Sequence, residues 1–132
     1  MTNLVTNVSP RHRTYRGGSQ SQAGLFSNTY LSKTEIAKSI GVHRETVKNW
    51  DDIAFWKVKE YKVDYPLKSD GISRERKATL SPFQIWVIGR ICILMSQMHS
   101  QDRVKQFITA NPSQFSREMF RAQYKAQRSN AA

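Results

Sequence analysis

At 132 residues the chain has the length of one domain with a single modest core, and its apolar share of 39% leaves part of it outside that core. Its 21 Lys and Arg against 10 Asp and Glu give a formal charge of +11, which points to a polyanionic partner, nucleic acid ahead of a membrane surface. The single cysteine, Cys92, excludes an internal disulfide and a Cys-rich metal site. The longest apolar run, Ile85 to Met95, is interrupted by Gly89 and Arg90 and is too short for a bilayer.

Residues 1–29 are rich in Ser, Thr, Asn, Gln and Gly, and they carry Arg11, Arg13 and Arg16 with no acidic residue. Such a composition buries too little surface to offset chain entropy, so a disordered basic arm is expected. Leu4, Val5 and Val8 are separated by Asn and Thr, so no secretory signal is read, and a cytoplasmic, nucleoid-associated protein is expected.

The pattern turns helical after Leu31. Ser32 and Glu35 have the spacing of a capping box, with Leu31 and Ile36 as its apolar staple. The helix ends near Ile40 at Gly41, a residue that takes a left-handed backbone without a Cβ clash. A second helix starts at His43 or Arg44 and continues at least to Trp50. Beyond it Tyr61, Val63 and Tyr65 alternate with period two, and Asp70-Gly71 suits a hairpin turn. A two-stranded wing bearing Lys57, Lys59, Lys62, Lys68, Arg74, Arg76 and Lys77 is therefore expected.

Ser81-Pro82 is a helix start, and "FQIWVIGRICILMSQM" is apolar on nearly every side. That helix, Pro82 to Met98, should centre the core, and a homodimer is expected through its surplus apolar surface or through the C-terminal helices. Ser100 caps a short helix ending at Asn111-Pro112. A last helix over 113–127 has Phe115, Met119, Ala122 and Ala126 on one face. Arg117, Arg121, Lys125 and Arg128 form a basic stripe beside it, read as a solvated face. The chain thus divides into an arm (1–29), a winged helix-turn-helix DNA-binding region (30–80), a helical core and dimerisation region (81–128) and a tail (129–132). The fold class is mainly α: a helix-turn-helix with a small two-stranded wing and three C-terminal helices.

The stretch "IAKSIGVHRETVKNW" explains the break at Gly41. Ala37 is small where two crossing helices touch, Val42 plugs the space beneath the turn, and Val47 and Trp50 face inward with Ile36 and Ile40. His43, Arg44, Glu45, Lys48 and Asn49 remain outward. This is the pattern of a DNA-binding helix-turn-helix, the alternative being an ordinary helical hairpin within a core. Arg44 can fork onto guanine O6 and N7, and Asn49 can pair with adenine. Lys48 reaches guanine or a phosphate, and Glu45 accepts from cytosine N4 or pairs with a neighbouring cation. His43 takes the cap position and touches backbone. Lys68, Arg74, Arg76 and Lys77 of the wing, with Arg11, Arg13 and Arg16 of the arm, read as phosphate or minor-groove contacts.

An enzyme is not expected, nor a metal or cofactor. The acidic residues are scattered, and the one adjacent pair, Asp51-Asp52, reads as electrostatic trimming or a phosphate-avoiding boundary at the end of the second helix; His12, His43 and His99 lie far apart.

The order of parts resembles the MerR-type regulators over Leu31 to Met95, with "EIAKSIGVHRETVKNW" standing where those proteins have their first motif. The resemblance implies a dimeric transcription regulator whose wing grips phosphates beside the recognition helix. The family's long C-terminal coiled coil and effector pocket have no counterpart, so it implies a minimal, effector-less repressor that blocks a promoter. The partners expected are double-stranded DNA and a second copy, with neither a membrane nor a small-molecule effector. The other function class is a DNA-processing accessory factor of a mobile element, phage or plasmid, akin to a terminase small subunit, an excisionase or a partition protein.

Overall fold

Two Leu-Ser pairs, Leu31-Ser32 and Leu80-Ser81, start the helices around which the chain is organised. The computed structural model describes residues 5–6, 25–65, 75 and 77–131, with residues 5, 6 and 129–131 described by backbone alone. Ser32 Oγ accepts from the Glu35 N–H at 3.1 Å while Glu35 Oε1 accepts from the Ser32 N–H at 2.8 Å, opening α1 (Lys33–Ile40). Ser81 and Gln84 repeat the device at 3.2 and 2.8 Å, opening α4 (Pro82–Met98). The leucines before them are buried and exchange backbone hydrogen bonds of 3.1 and 2.8 Å, which sets the two helix starts side by side.

Helix α1 stops at Gly41, whose φ of 73° is left-handed and whose N–H donates to the Ala37 carbonyl at 2.9 Å. The chain then turns into α2 (Arg44–Lys57). Val47, Trp50 and Ala54 recur on one side of α2 and share a buried cluster with Ile36, Ala37 and Ile40 of α1. The mainly α class therefore holds, and so do the capping box and the glycine stop, with Leu31 and Ile36 both buried in the core.

The first strand of the expected wing is not a strand. Lys59–Val63 forms a short helix, α3, after Val58 alone adopts an extended backbone. A five-residue alternation fits two periods at once: Tyr61 and Tyr65 share a face in a strand, but they also stand four apart on a helix. The structure takes the second option. Both tyrosines are buried while Val63 is 75% exposed, an outcome a two-residue period forbids. Of the rest of the expected wing, Lys68, Arg74, Arg76 and the Asp70-Gly71 turn lie outside the described residues, while Glu75 and residues 77–80 are described and hold a turn and a bend that end at the Leu80 bridge to Leu31.

Helix α4 is buried at every position from Phe83 to Leu94 except Arg90. Part of its cover comes from a segment that composition assigns to the arm. Val5–Thr6 (β1) and Leu25–Phe26 (β2) pair antiparallel, and Leu25, Phe26 and Ser27 are buried. A Cβ at Gly89 would lie 2.5 Å from the Leu25 backbone nitrogen, so glycine is what lets β2 lie against α4. The arm boundary at residue 29 therefore falls too late, and the chain itself covers the apolar surface that the sequence offers for dimerisation.

Helix α5 (Gln101–Ala110) starts at Ser100, whose Oγ accepts from the Arg103 N–H at 3.3 Å, and it buries Val104 and Ile108. Pro112–Phe115 forms a 3-10 turn, after which Ser116 Oγ accepts from the Met119 N–H at 3.1 Å and α6 (Arg117–Ala131) begins. The last helix thus starts later than its sequence pattern suggests, and Phe115 packs from the turn. Ala122 and Ala126 are exposed; Phe120 and Tyr124 make the contact instead, with the Phe120 ring 5.5 Å from Trp86 and Tyr124 stacked on Phe26 at 6.0 Å. Arg90 lies over the Trp86 and Phe115 rings and donates to Gln114 Oε1 at 3.2 Å, and its burial lowers its pKa from the ordinary arginine value.

Candidate nucleic-acid interface

The first two turns of α2 present the polar side chains that the sequence singles out. Arg44, Glu45 and Asn49 are exposed and Lys48 is half-buried; Glu45, Lys48 and Asn49 lie on the side away from Val47, Trp50 and Ala54, and Arg44 flanks that buried stripe in the first turn. Lys48 Nζ stands 3.6 Å from Glu45 Oε1, an exposed i,i+3 pair that costs little to break. His43 is the N-cap, is exposed and makes no side-chain cap bond; its carbonyl accepts from the Thr46 and Val47 N–H groups at 3.0 and 3.3 Å. The N-terminal end of α2 also carries the positive pole of the helix, which favours an approaching phosphate.

What fixes this face in space is a buried polar group behind it. Asp51 is 1% exposed. Its carboxylate accepts from the Tyr61 hydroxyl, from the Tyr65 hydroxyl at 2.7 Å and from Lys33 Nζ at 3.3 Å. Lys33, 6% exposed, also donates to the Tyr65 hydroxyl at 3.0 Å. One carboxylate therefore ties α1, α2 and α3 together, because a charge taken out of water has to find fixed partners. This corrects the reading of the Asp51-Asp52 pair as surface trimming. The signal was present: Asp51 follows Val47 by four residues and precedes Ala54 by three, which puts it on the inward stripe.

Lys77 is exposed, in a turn where its N–H donates to Glu75 Oε1 at 3.3 Å. Lys68, Arg74, Arg76, Arg11, Arg13 and Arg16 lie outside the described residues. In the basic stripe of α6, Arg117 is withdrawn from solvent. It pairs with Asp64 and lies 4.7 Å over the Phe83 ring, and its N–H donates to Glu60 Oε1 at 3.0 Å. Arg121, Lys125 and Arg128 remain exposed. Compared with known proteins, the chain matches no family model, no curated protein and no solved structure.

Among the described residues no group of three or more His, Cys, Asp or Glu is placed to hold a metal ion, and no helix is long and apolar enough to cross a membrane. Toward its C-terminal end the outward side of α2 is no longer open on all sides. Asn49, Asp52 and Trp56 face Gln101 and Lys105 of α5 across a hollow of ≈ 430 Å³.

Proposed function

We propose that the protein binds duplex DNA sequence-specifically through the first two turns of α2, used as the recognition helix of a helix-turn-helix, and regulates transcription by occupying its site. One observation carries this reading: Arg44 and Asn49 are exposed and Lys48 is half-buried at the start of a helix that Val47, Trp50 and Ala54 anchor in the core and that Asp51 ties to α1 and α3. A base-reading side chain needs both halves of that arrangement, because hydrogen bonds to base edges discriminate only when their donors arrive in fixed register. The formal charge of +11 supplies the sequence-independent attraction to phosphates. Because α4 is buried from Phe83 to Leu94 apart from Arg90, a second copy on the other half of a palindromic site would meet the first through the C-terminal helices.

The experiment is selection of bound duplexes from a randomised pool. Enrichment of one word, with an affinity that falls steeply as salt rises, is the expected result. Equal recovery of all sequences would overturn base reading. The genomic position of the word then separates a regulator, whose word lies at a promoter, from an accessory factor of DNA processing.

A further inference from the structure

Past its first two turns, α2 leads into a second surface that base reading does not use. The Trp56 indole, 70% exposed, stands between two hollows. The smaller is the one shared with α5. The larger, ≈ 610 Å³, is floored by the buried side chains of Val58, Ile108 and Phe115. Lysines surround the indole: Lys57 and Lys59 border the larger hollow, Lys105 lines the smaller one, and Lys62 Nζ lies 5.3 Å from the Trp56 ring centre. The carboxylate on the rim of the larger hollow, Glu60, is engaged by the N–H that starts α6 at 3.0 Å. Asp52 faces the smaller hollow, so the cationic border with an apolar floor belongs to the larger one.

We infer that the larger hollow docks an acidic peptide segment of a partner protein, with a leucine or aromatic side chain resting on Val58, Ile108 and Phe115 and carboxylates facing Lys57 and Lys59. The backbone of a duplex would use the lysines but leave the apolar floor and the indole without a counterpart, because its bases are stacked inside. An acidic segment with apolar anchors matches both, the anchors giving affinity and the charges giving orientation and encounter rate. An exposed tryptophan beside an apolar hollow is also the composition that concentrates binding energy in protein interfaces. Trp56 follows Arg44 by twelve residues, about 18 Å along the helix axis, so the hollow lies well away from the start of α2. The inference uses neither Arg44 nor Lys48 and stands apart from the DNA reading.

The test uses the full chain and a short fluorescein-labelled peptide with leucine and phenylalanine at helical spacing and aspartate or glutamate elsewhere, followed by anisotropy. Saturable binding is expected, weakened at least about tenfold by Trp56→Ala and by the pair Lys57→Glu and Lys59→Glu, and unchanged by Arg44→Ala. Circular dichroism of each variant shows that the fold is retained. Equal binding of a peptide whose apolar residues are replaced by serine would reduce the surface to a polyanion patch and overturn the inference. So would indifference of the peptide to Trp56→Ala, its displacement by duplex DNA alone in that variant and the parent alike, or no saturable binding at millimolar concentration.

Discussion

Helices α2 and α4 both cross the core, and the chain treats them in opposite ways. From Phe83 to Leu94, α4 is enclosed by β2, α2, α5 and α6 at every position but Arg90. Over a similar length, α2 seals only Val47, Trp50, Asp51, Ile53 and Ala54 and leaves Arg44, Glu45 and Asn49 in water. The difference follows from pattern. A helix that is apolar all round becomes the thing others pack on, whereas a helix with one apolar stripe is held by that stripe and displays the rest. The candidate interface is therefore a property of α2, and α4 supplies the floor on which α2 is set.

Substitutions can break or sharpen that contrast, and the largest effects belong to α4. Trp86→Ala should cost about 3–5 kcal/mol in urea unfolding, since the ring is fully buried among Phe83, Phe120 and Arg90. A loss below about 1 kcal/mol, the scale of an ordinary surface change, would remove α4 from its role as scaffold. Asp51→Ala should cost a comparable amount, about 3–5 kcal/mol, because it strands the buried Lys33 ammonium. Adding Lys33→Met to Asp51→Ala should restore much of that stability, and the double-mutant cycle measures the coupling. Additive losses would show that the two charges do not depend on each other.

Smaller effects lie at the turn and on the open face. Gly41→Ala should lose roughly 1–2 kcal/mol, the cost of a left-handed backbone for a residue with a Cβ, read as a lower urea midpoint. Arg44→Ala should leave stability within about 0.5 kcal/mol. The same substitution should relax base preference at one position of the bound word by about 1–3 kcal/mol. Uniform weakening on every duplex would reassign Arg44 to a phosphate.

The bounds of α1, α4 and α5 and the start of α2 were legible because each is marked by local chemistry, serine caps at Ser32, Ser81 and Ser100 and the glycine at Gly41; the end of α2 was not, since it runs on to Lys57, which the sequence reading puts in the wing. The misreadings share a cause, that a short pattern fits more than one structure until distant partners choose. Tyr61 and Tyr65 satisfy strand and helix periods alike, and the Asp51 carboxylate on another helix rewards the helical placement. Leu25-Phe26 is hidden in a polar window, and only the gap left at Gly89 shows why it enters the core. Phe115 and Met119 have helical spacing, yet the chain makes a 3-10 turn from Pro112 and starts α6 anew at the Ser116 cap. At the candidate site the outward set Arg44, Lys48 and Asn49 followed from periodicity within one helix. The hollow beside Trp56 did not, because α5 and the Phe115 turn, some fifty residues onward, build its other wall.

The interface assignment rests on which basic surface meets the duplex, the first turns of α2 or the exposed arginines and lysine of α6. Amide chemical-shift mapping by NMR, with the selected duplex titrated into the full chain, separates them directly. Shifts concentrated at Arg44, Lys48 and Asn49, with Arg121, Lys125 and Arg128 unmoved, are the expected result. Shifts confined to α6, with the start of α2 silent, would contradict the assignment.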